Sequence, residues 1–299
     1  MNPLFFGDMI ILIHQDFNAS QTKLFDQIHL SASTFMKGIS DRVKNDLLLI
    51  KNKFGNFLNE INIYNHTHKK NNFIFWCWLQ GLKKTPLLYK STLKSIYRYC
   101  KQYKIIIIDE NNMFKYIKLP SYIYEKYKNK MILKAHFCDL IRLELLIKYG
   151  GTWIDASVLI THYNEIFFSQ DLFFFKNNFN NSISGSNWFI TSEIASPVLK
   201  TTRDLLYEYW RKYNYAINYL IFHIFFTMAL DRYKSEYKNS PNYYFIPALF
   251  LYTQLLNRYD KQKYDFILNS SEIHKTTIKK GYGNKNSFIR YIIQNYKIA

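Results

Sequence analysis

The chain has 299 residues, 48% of them hydrophobic, which is enough to bury a large core and excludes a disordered protein. With 40 Lys and Arg against 22 Asp and Glu, the formal charge is +18, which favours an anionic partner such as a nucleotide, a phospholipid surface or nucleic acid. Cys77, Cys100 and Cys138 are odd in number and lack CxxC spacing, which argues against a disulfide framework or a zinc motif and for a reducing cytosol.

In chain order, the opening MNPLFFGDMIILIHQDF has no basic region before its apolar residues and is interrupted by Asp8, unlike a secretory signal. Residues 1–70 read as a helical extension, with Leu47, Leu48, Phe54, Phe57 and Leu58 at mixed three and four spacing. The polar run NHTHKKNN, Asn65 to Asn72, reads as a linker whose two histidines are loop residues rather than metal ligands. FIFWCW and KIIIID then read as buried strands joined by a helix between Pro86 and Tyr103, a βαβ unit. A helix from Ala135 to Tyr149 leads into a strand from Thr152; Asp171 to Lys176 and Asn187 to Ser192 read as further strands, and Ser196 to Tyr213 as a helix with Pro197 in its first turn. Tyr213 to Leu230 and Ser240 to Asn257 carry no formal charge, but their polar residues and prolines favour buried helices over membrane spans. The expected fold is an α/β domain over residues 71–299 with helical additions at both ends.

Chemistry gathers around YGGTWIDASVLIT. In the preceding helix, Asp139 and Arg142 lie three apart on one face among Leu140, Ile141, Leu143 and Leu146, where buried charges need partners. The bland reading is a structural ion pair. Gly150 suits a left-handed helix cap, and Gly151 allows a close approach of backbone to strand or ligand. The strand TWID then carries Asp155 to its C-terminal end, where open α/β sheets place ligands.

The run HFCDLIRLELLIKYGGTWIDASVLIT resembles the central signature of the capsular polysaccharide synthesis proteins: an Asp-x-x-Arg helix, a Gly-Gly turn and a strand ending in Asp-x-Asp or a variant. These are GT-A-fold glycosyltransferases related to glycosyltransferase family 32 and, more distantly, to the glucosylating clostridial toxins. FIFWCWLQG, NWFITSEIASPVLKTTRDLLYEYW, NYLIFHIFF and SSEIHKTTIK resemble further family blocks in the expected order, so the likeness runs from about 72 to 280 and leaves the N-terminal 70 residues outside.

The resemblance implies a GT-A-like nucleotide-sugar-binding fold with a Rossmann-like mixed sheet. It implies a hexosyltransferase that moves a sugar from a nucleotide-sugar donor to a glycan or lipid-linked oligosaccharide acceptor, with retention of anomeric configuration, in making capsule or lipopolysaccharide. Asp155 is the catalytic candidate. Trp78 would stack on the base; Asp139, Arg142, Gly150, Gly151, Ser157 and Lys275 would complete the donor-binding set; Asp155 and His274 would hold a divalent cation, Mn²⁺ or Mg²⁺. Ser157, standing where a second carboxylate would be, puts strict metal dependence in doubt. His223 reads as a buried-helix histidine ahead of an acceptor-facing one. The implied location is the cytoplasm, peripheral on the inner face of the cytoplasmic membrane, where an anionic surface would attract a basic protein.

Two rival classes remain at this stage. Ser157 motivates an inactive relative kept as a complex partner. The charge, together with 19% aromatics, motivates a nucleic-acid-binding protein; but the basic residues are dispersed and no reading module accompanies them, so nucleic acid is not the expected partner.

Overall fold

The computed structural model describes residues 19–177, 183–279 and 281–296; the opening apolar stretch read for a signal thus lies outside the described residues. Five strands form a mixed sheet: β1 (Phe73–Cys77), β2 (Lys104–Ile108), β3 (Gly151–Ile154), β5 (Leu172–Lys176) and β6 (Gly185–Ser192), in the order β2-β1-β3-β6-β5. β1 pairs in parallel with both β2 and β3, whereas β6 runs antiparallel to β3 and β5. Two short strands, β4 (Val158–Ile160) and β7 (Ile273–Lys275), pair antiparallel in a separate ribbon. The expected α/β class is the observed one.

The strands read as continuous apolar runs because helices cover both faces. Alternation along each strand divides the side chains: Phe75, Cys77, Trp153, Leu172 and Phe174 enter one core, and Ile74, Trp76, Ile154, Phe173 and Phe175 enter the other. Helices Lys134–Tyr149, Pro197–Lys212 and Ile221–Arg232 supply the first core; Leu87–Tyr99, Phe245–Gln254, Lys261–Ser270 and Phe288–Asn295 supply the second. Prolines set several helix starts, where a missing N–H costs nothing: Pro86 and Pro120 precede their helices and Pro197 opens one. Both uncharged segments contain buried helices, and among the described residues no helix is long and apolar enough to cross a membrane.

The N-terminal extension is built into this architecture. Ala19–Glu60 is one helix of 42 residues, roughly 63 Å long. Phe25, Ile28, Ala32 and Met36 join the second core, and Val43, Leu47, Ile50 and Phe54 join the first. A helix whose halves pack on opposite sides of the sheet must cross an end of it, and Phe35 and Met36, near the crossing, line a cavity there.

At the other end of the sheet sit the two glycines. Gly150 (φ +62) ends its helix by donating to the Leu146 carbonyl at 2.8 Å, and Gly151 (φ +92) opens β3. A Cβ on Gly151 would lie 2.6 Å from the Phe73 carbonyl oxygen, and one on Gly150 would lie 2.9 Å from the Lys70 Cβ. Both serve a tight strand entry, not a ligand, and both lie outside the cavity lining. The structure does not bring these two expected donor-binding residues to the cavity: β3 separates them from Asp155 by roughly 13 Å. Gly151→Ala should lower stability by about 1–3 kcal/mol. Gly55→Ala, in mid-helix with nothing within 4 Å of the added carbon, should raise it by about 0.5–1 kcal/mol. Urea denaturation of both variants would read the opposite signs.

Candidate active site

The sheet topology decides which side chains meet. β1 and β3 are parallel, so Trp78 and Asp155, each just past a strand, emerge at the same end; β6 is antiparallel, so its first residues, including Asn187 and Trp188, arrive there too. The Lys134–Tyr149 helix adds Asp139 and Arg142, and β7 adds Lys275, which pairs with Val158. Together they line a cavity of about 500 Å³.

Arg142 is the hub. Its Nη1 donates to Asp139 Oδ1 and its Nη2 donates to Asp155 Oδ1 at 3.0 Å, while its plane lies over Trp153 at 4.8 Å and Phe222 at 5.4 Å. Asp155 Oδ1 also accepts from Trp153 Nε1 at 2.8 Å, and Oδ2 accepts from Lys275 Nζ at 2.9 Å. Asp139 Oδ1 takes a further bond from Asn187 Nδ2 at 2.9 Å. Burial would raise the Asp155 carboxyl, but Lys275 and Arg142 together hold it below the ordinary aspartate value. Burial likewise works against Arg142, and Asp139 and Asp155 outweigh it, so the guanidinium stays charged. For Lys275 burial wins, and its ammonium falls below the usual lysine value despite Asp155. Among the described residues, four cationic side chains, Lys134, Arg142, Lys275 and Lys279, face the cavity against two carboxylates, an excess suited to an anion.

The remaining expected residues divide. Trp78 is half-buried, packs against Tyr89 at 5.3 Å between ring centres and faces the cavity. Ser157 also lines it, and its carbonyl accepts from Thr276 N at 2.7 Å and Thr276 Oγ1 at 2.8 Å, which ties the segment after β7 to the Asp155 turn. His274 is not brought to the site. Strand alternation turns it away from Lys275, fully buried, with Nε2 at 3.4 Å from Thr161 Oγ1, and burial pulls its imidazole down to about 3. It cannot share a cation with Asp155. His223 does face the cavity, and burial lowers it to about 4, so it is neutral near pH 7.

A resident Mn²⁺ or Mg²⁺ fits this donor set poorly. Both Asp155 oxygens already accept from Arg142, Trp153 or Lys275, Asp139 Oδ1 is held by Arg142 and Asn187, and Ser157 offers no second carboxylate. Asn187, Trp153 and Lys279 were not singled out by sequence. Trp153 carried a signal, since residues two apart on a strand share a face and so accompany Asp155. Asn187 is a polar residue entering an apolar strand.

Asp155→Asn should destabilise the protein by about 3 kcal/mol at pH 7, because Arg142 and Lys275 lose their shared counter-charge. A depressed carboxyl contributes stability that is full above the unfolded value, about 3.9, and is lost as pH falls through the folded value. The gap between wild type and variant in urea midpoint should therefore shrink below about pH 4.

The chain matches the capsular polysaccharide synthesis protein family over residues 32–295. The match starts inside the long N-terminal helix, well before Asn72. Among solved structures the chain is similar to the PaToxG glycosyltransferase, at 14% identity and a TM-score of 0.40, over 77% of this chain and 95% of that one. No curated protein matches it. With nearly the whole described fold inside the matched region, the chain belongs to the capsular polysaccharide synthesis protein family.

Proposed function

We propose that the protein is a GT-A-type glycosyltransferase that moves a hexosyl group from a nucleotide-sugar donor to a growing surface glycan, capsule or lipopolysaccharide, with retention of configuration. The observation that carries this reading is the Arg142–Asp155–Lys275 chain set beside Trp78 at the C-terminal end of the sheet, in a cavity with excess positive charge.

A nucleotide sugar makes four demands, and the cavity offers a group for each. The Trp78 ring stacks on the base, a contact that contributes about 1–3 kcal/mol. Asp155 and Asn187 hydrogen-bond hydroxyls of ribose or sugar. Lys275 and Lys279 take the diphosphate, and the Lys275 ammonium stabilises the charge that grows on it as the glycosidic bond to the anomeric carbon breaks. Arg142 holds Asp155 in place and keeps it ionised. Lys275 thus supplies charge that a cation would otherwise bring, and no step is assigned to a metal.

Retention is supported by the weakness of the available bases. Asp155, already accepting from two cations, is a poor proton acceptor, as is a His223 imidazole lowered to about 4. The acceptor hydroxyl can instead lose its proton to the departing diphosphate on the same face of the sugar. Acceptor attack on that face gives the donor's anomeric configuration.

The test is a hydrolysis and transfer screen over UDP-, GDP- and CDP-linked sugars, with Mn²⁺ and with EDTA. Turnover of one donor should persist in EDTA, fall about 10²–10³-fold in Lys275→Ala and vanish in a folded Asp155→Ala. Proton NMR of the product should show the donor's anomeric configuration. Failure of every donor would sink the reading and favour an inactive partner protein, and a Lys275→Ala enzyme as fast as wild type would remove the role given to Lys275. The net charge of +18 also favours docking on the anionic inner face of the membrane, near lipid-linked acceptors. The protein should sediment with phosphatidylglycerol vesicles and be released by salt; equal sedimentation with neutral vesicles would remove the docking.

A further inference from the structure

The run from Asn65 to Asn72, expected as a plain linker, has no regular secondary structure over most of its length, yet it is held at many points. Thr67 Oγ1 donates to the Ile194 carbonyl at 2.6 Å, Ile194 N donates to the Lys69 carbonyl at 2.6 Å, and Lys70 Nζ donates to the Gln170 carbonyl at 2.8 Å. These contacts lie at the end of the sheet opposite Asp155, beyond the pairing of Gly151 with Ser192.

The centre of this region is Glu193, whose side chain is 1% exposed. One oxygen, Oε2, accepts from the Thr67 N–H at 2.7 Å and from the His68 N–H. The other, Oε1, meets His66 Nδ1. His66 and His68 lie side by side, with His68 in the left-handed region at φ +53, their ring centres 5.2 Å apart and planes 12° from parallel. A ligating atom from each of His66, His68 and Glu193 lies within 4.8 Å of the others. Glu236 Oε1 sits 3.0 Å from His66 Nε2, and Asp171 Oδ2 sits 2.7 Å from His68 Nδ1. A separate cavity of about 350 Å³ opens beside them.

We propose that His66, His68 and Glu193 bind a divalent transition-metal ion, Zn²⁺ by preference. Two imidazoles and one carboxylate are the donor types such an ion selects, whereas Mg²⁺ and Ca²⁺ take oxygen. The carboxylate is preorganised, because backbone N–H groups fix one oxygen and leave the other aimed at His66. Glu236 on His66 Nε2 is the partner that orients a metal-bound imidazole whose Nδ1 faces the metal. Binding displaces any proton on the ligating nitrogens to solvent, and the fourth position is left to Asp171 or water. The ion would fasten the 62–72 segment to the end of β6, at a distance from the sugar-nucleotide cavity.

Full-length protein stripped with chelator and titrated with Zn²⁺ should take up one equivalent that survives gel filtration, with a higher thermal midpoint. Co²⁺ in its place should give the visible absorption of a low-coordinate nitrogen and oxygen site. His68 is 69% exposed at its side chain, so His68→Ala should fold normally; it and His66→Ala should each weaken Zn²⁺ binding by more than the roughly 10–100-fold that loss of a ligand's hydrogen-bond partner costs, while folded Asp155→Ala should not. No retained Zn²⁺ in wild type, equal retention in His68→Ala, or loss of the ion in an Asp155→Ala variant shown by circular dichroism to be folded would each overturn the proposal.

Discussion

A guanidinium taken out of water and laid against two aromatic rings must have its charge answered close at hand, and Arg142 is answered on both sides. Asp139 is its neighbour on one helical face, but Asp155 comes from a different element, so the ion pairs fix the distance between the Lys134–Tyr149 helix and the end of β3. Lys275 extends the chain of charges to β7, and Asn187 to the start of β6. Four elements are thereby placed relative to one another by groups that also line the cavity. The same bonds that hold the fold at this end hold the site.

Much of this was legible because strand and helix periods are rigid. The runs FIFWCW, KIIIID and TWID became β1, β2 and β3, since each is short, apolar and followed by a turn. Asp155 at the end of such a strand, preceded by a helix with Asp139 and Arg142 on one face, pointed to three side chains that the fold does bring together at one cavity. What remained hidden depended on register. In His274–Lys275 only one side chain can face the cavity, and nothing in the dipeptide states which; pairing of Lys275 with Val158 decides it. The glycines illustrate a second ambiguity, because positive φ and close backbone approach serve a strand entry as readily as a ligand.

The N-terminal helix was the largest difference. Its apolar positions predicted a helix, but not what would cover it. Periodicity shows that a face is buried without naming the partner. Here the partner changes along the length, from the second core to the first, so the helical extension packs across the fold.

Lys275 and Asp155 are 120 residues apart in sequence. Until β7 docks on β4, Asp155 has Arg142 but lacks its second cation, and the cavity lacks the side that Lys275 lines. Closing so long a loop is entropically costly and belongs late in assembly. A chain still being synthesised has the Arg142–Asp155 pair within reach before Lys275 is available to Asp155. The second cation at Asp155 arrives only when β7 pairs with β4, so a chain cut before Ile273 would lack both that charge and the strand that carries it.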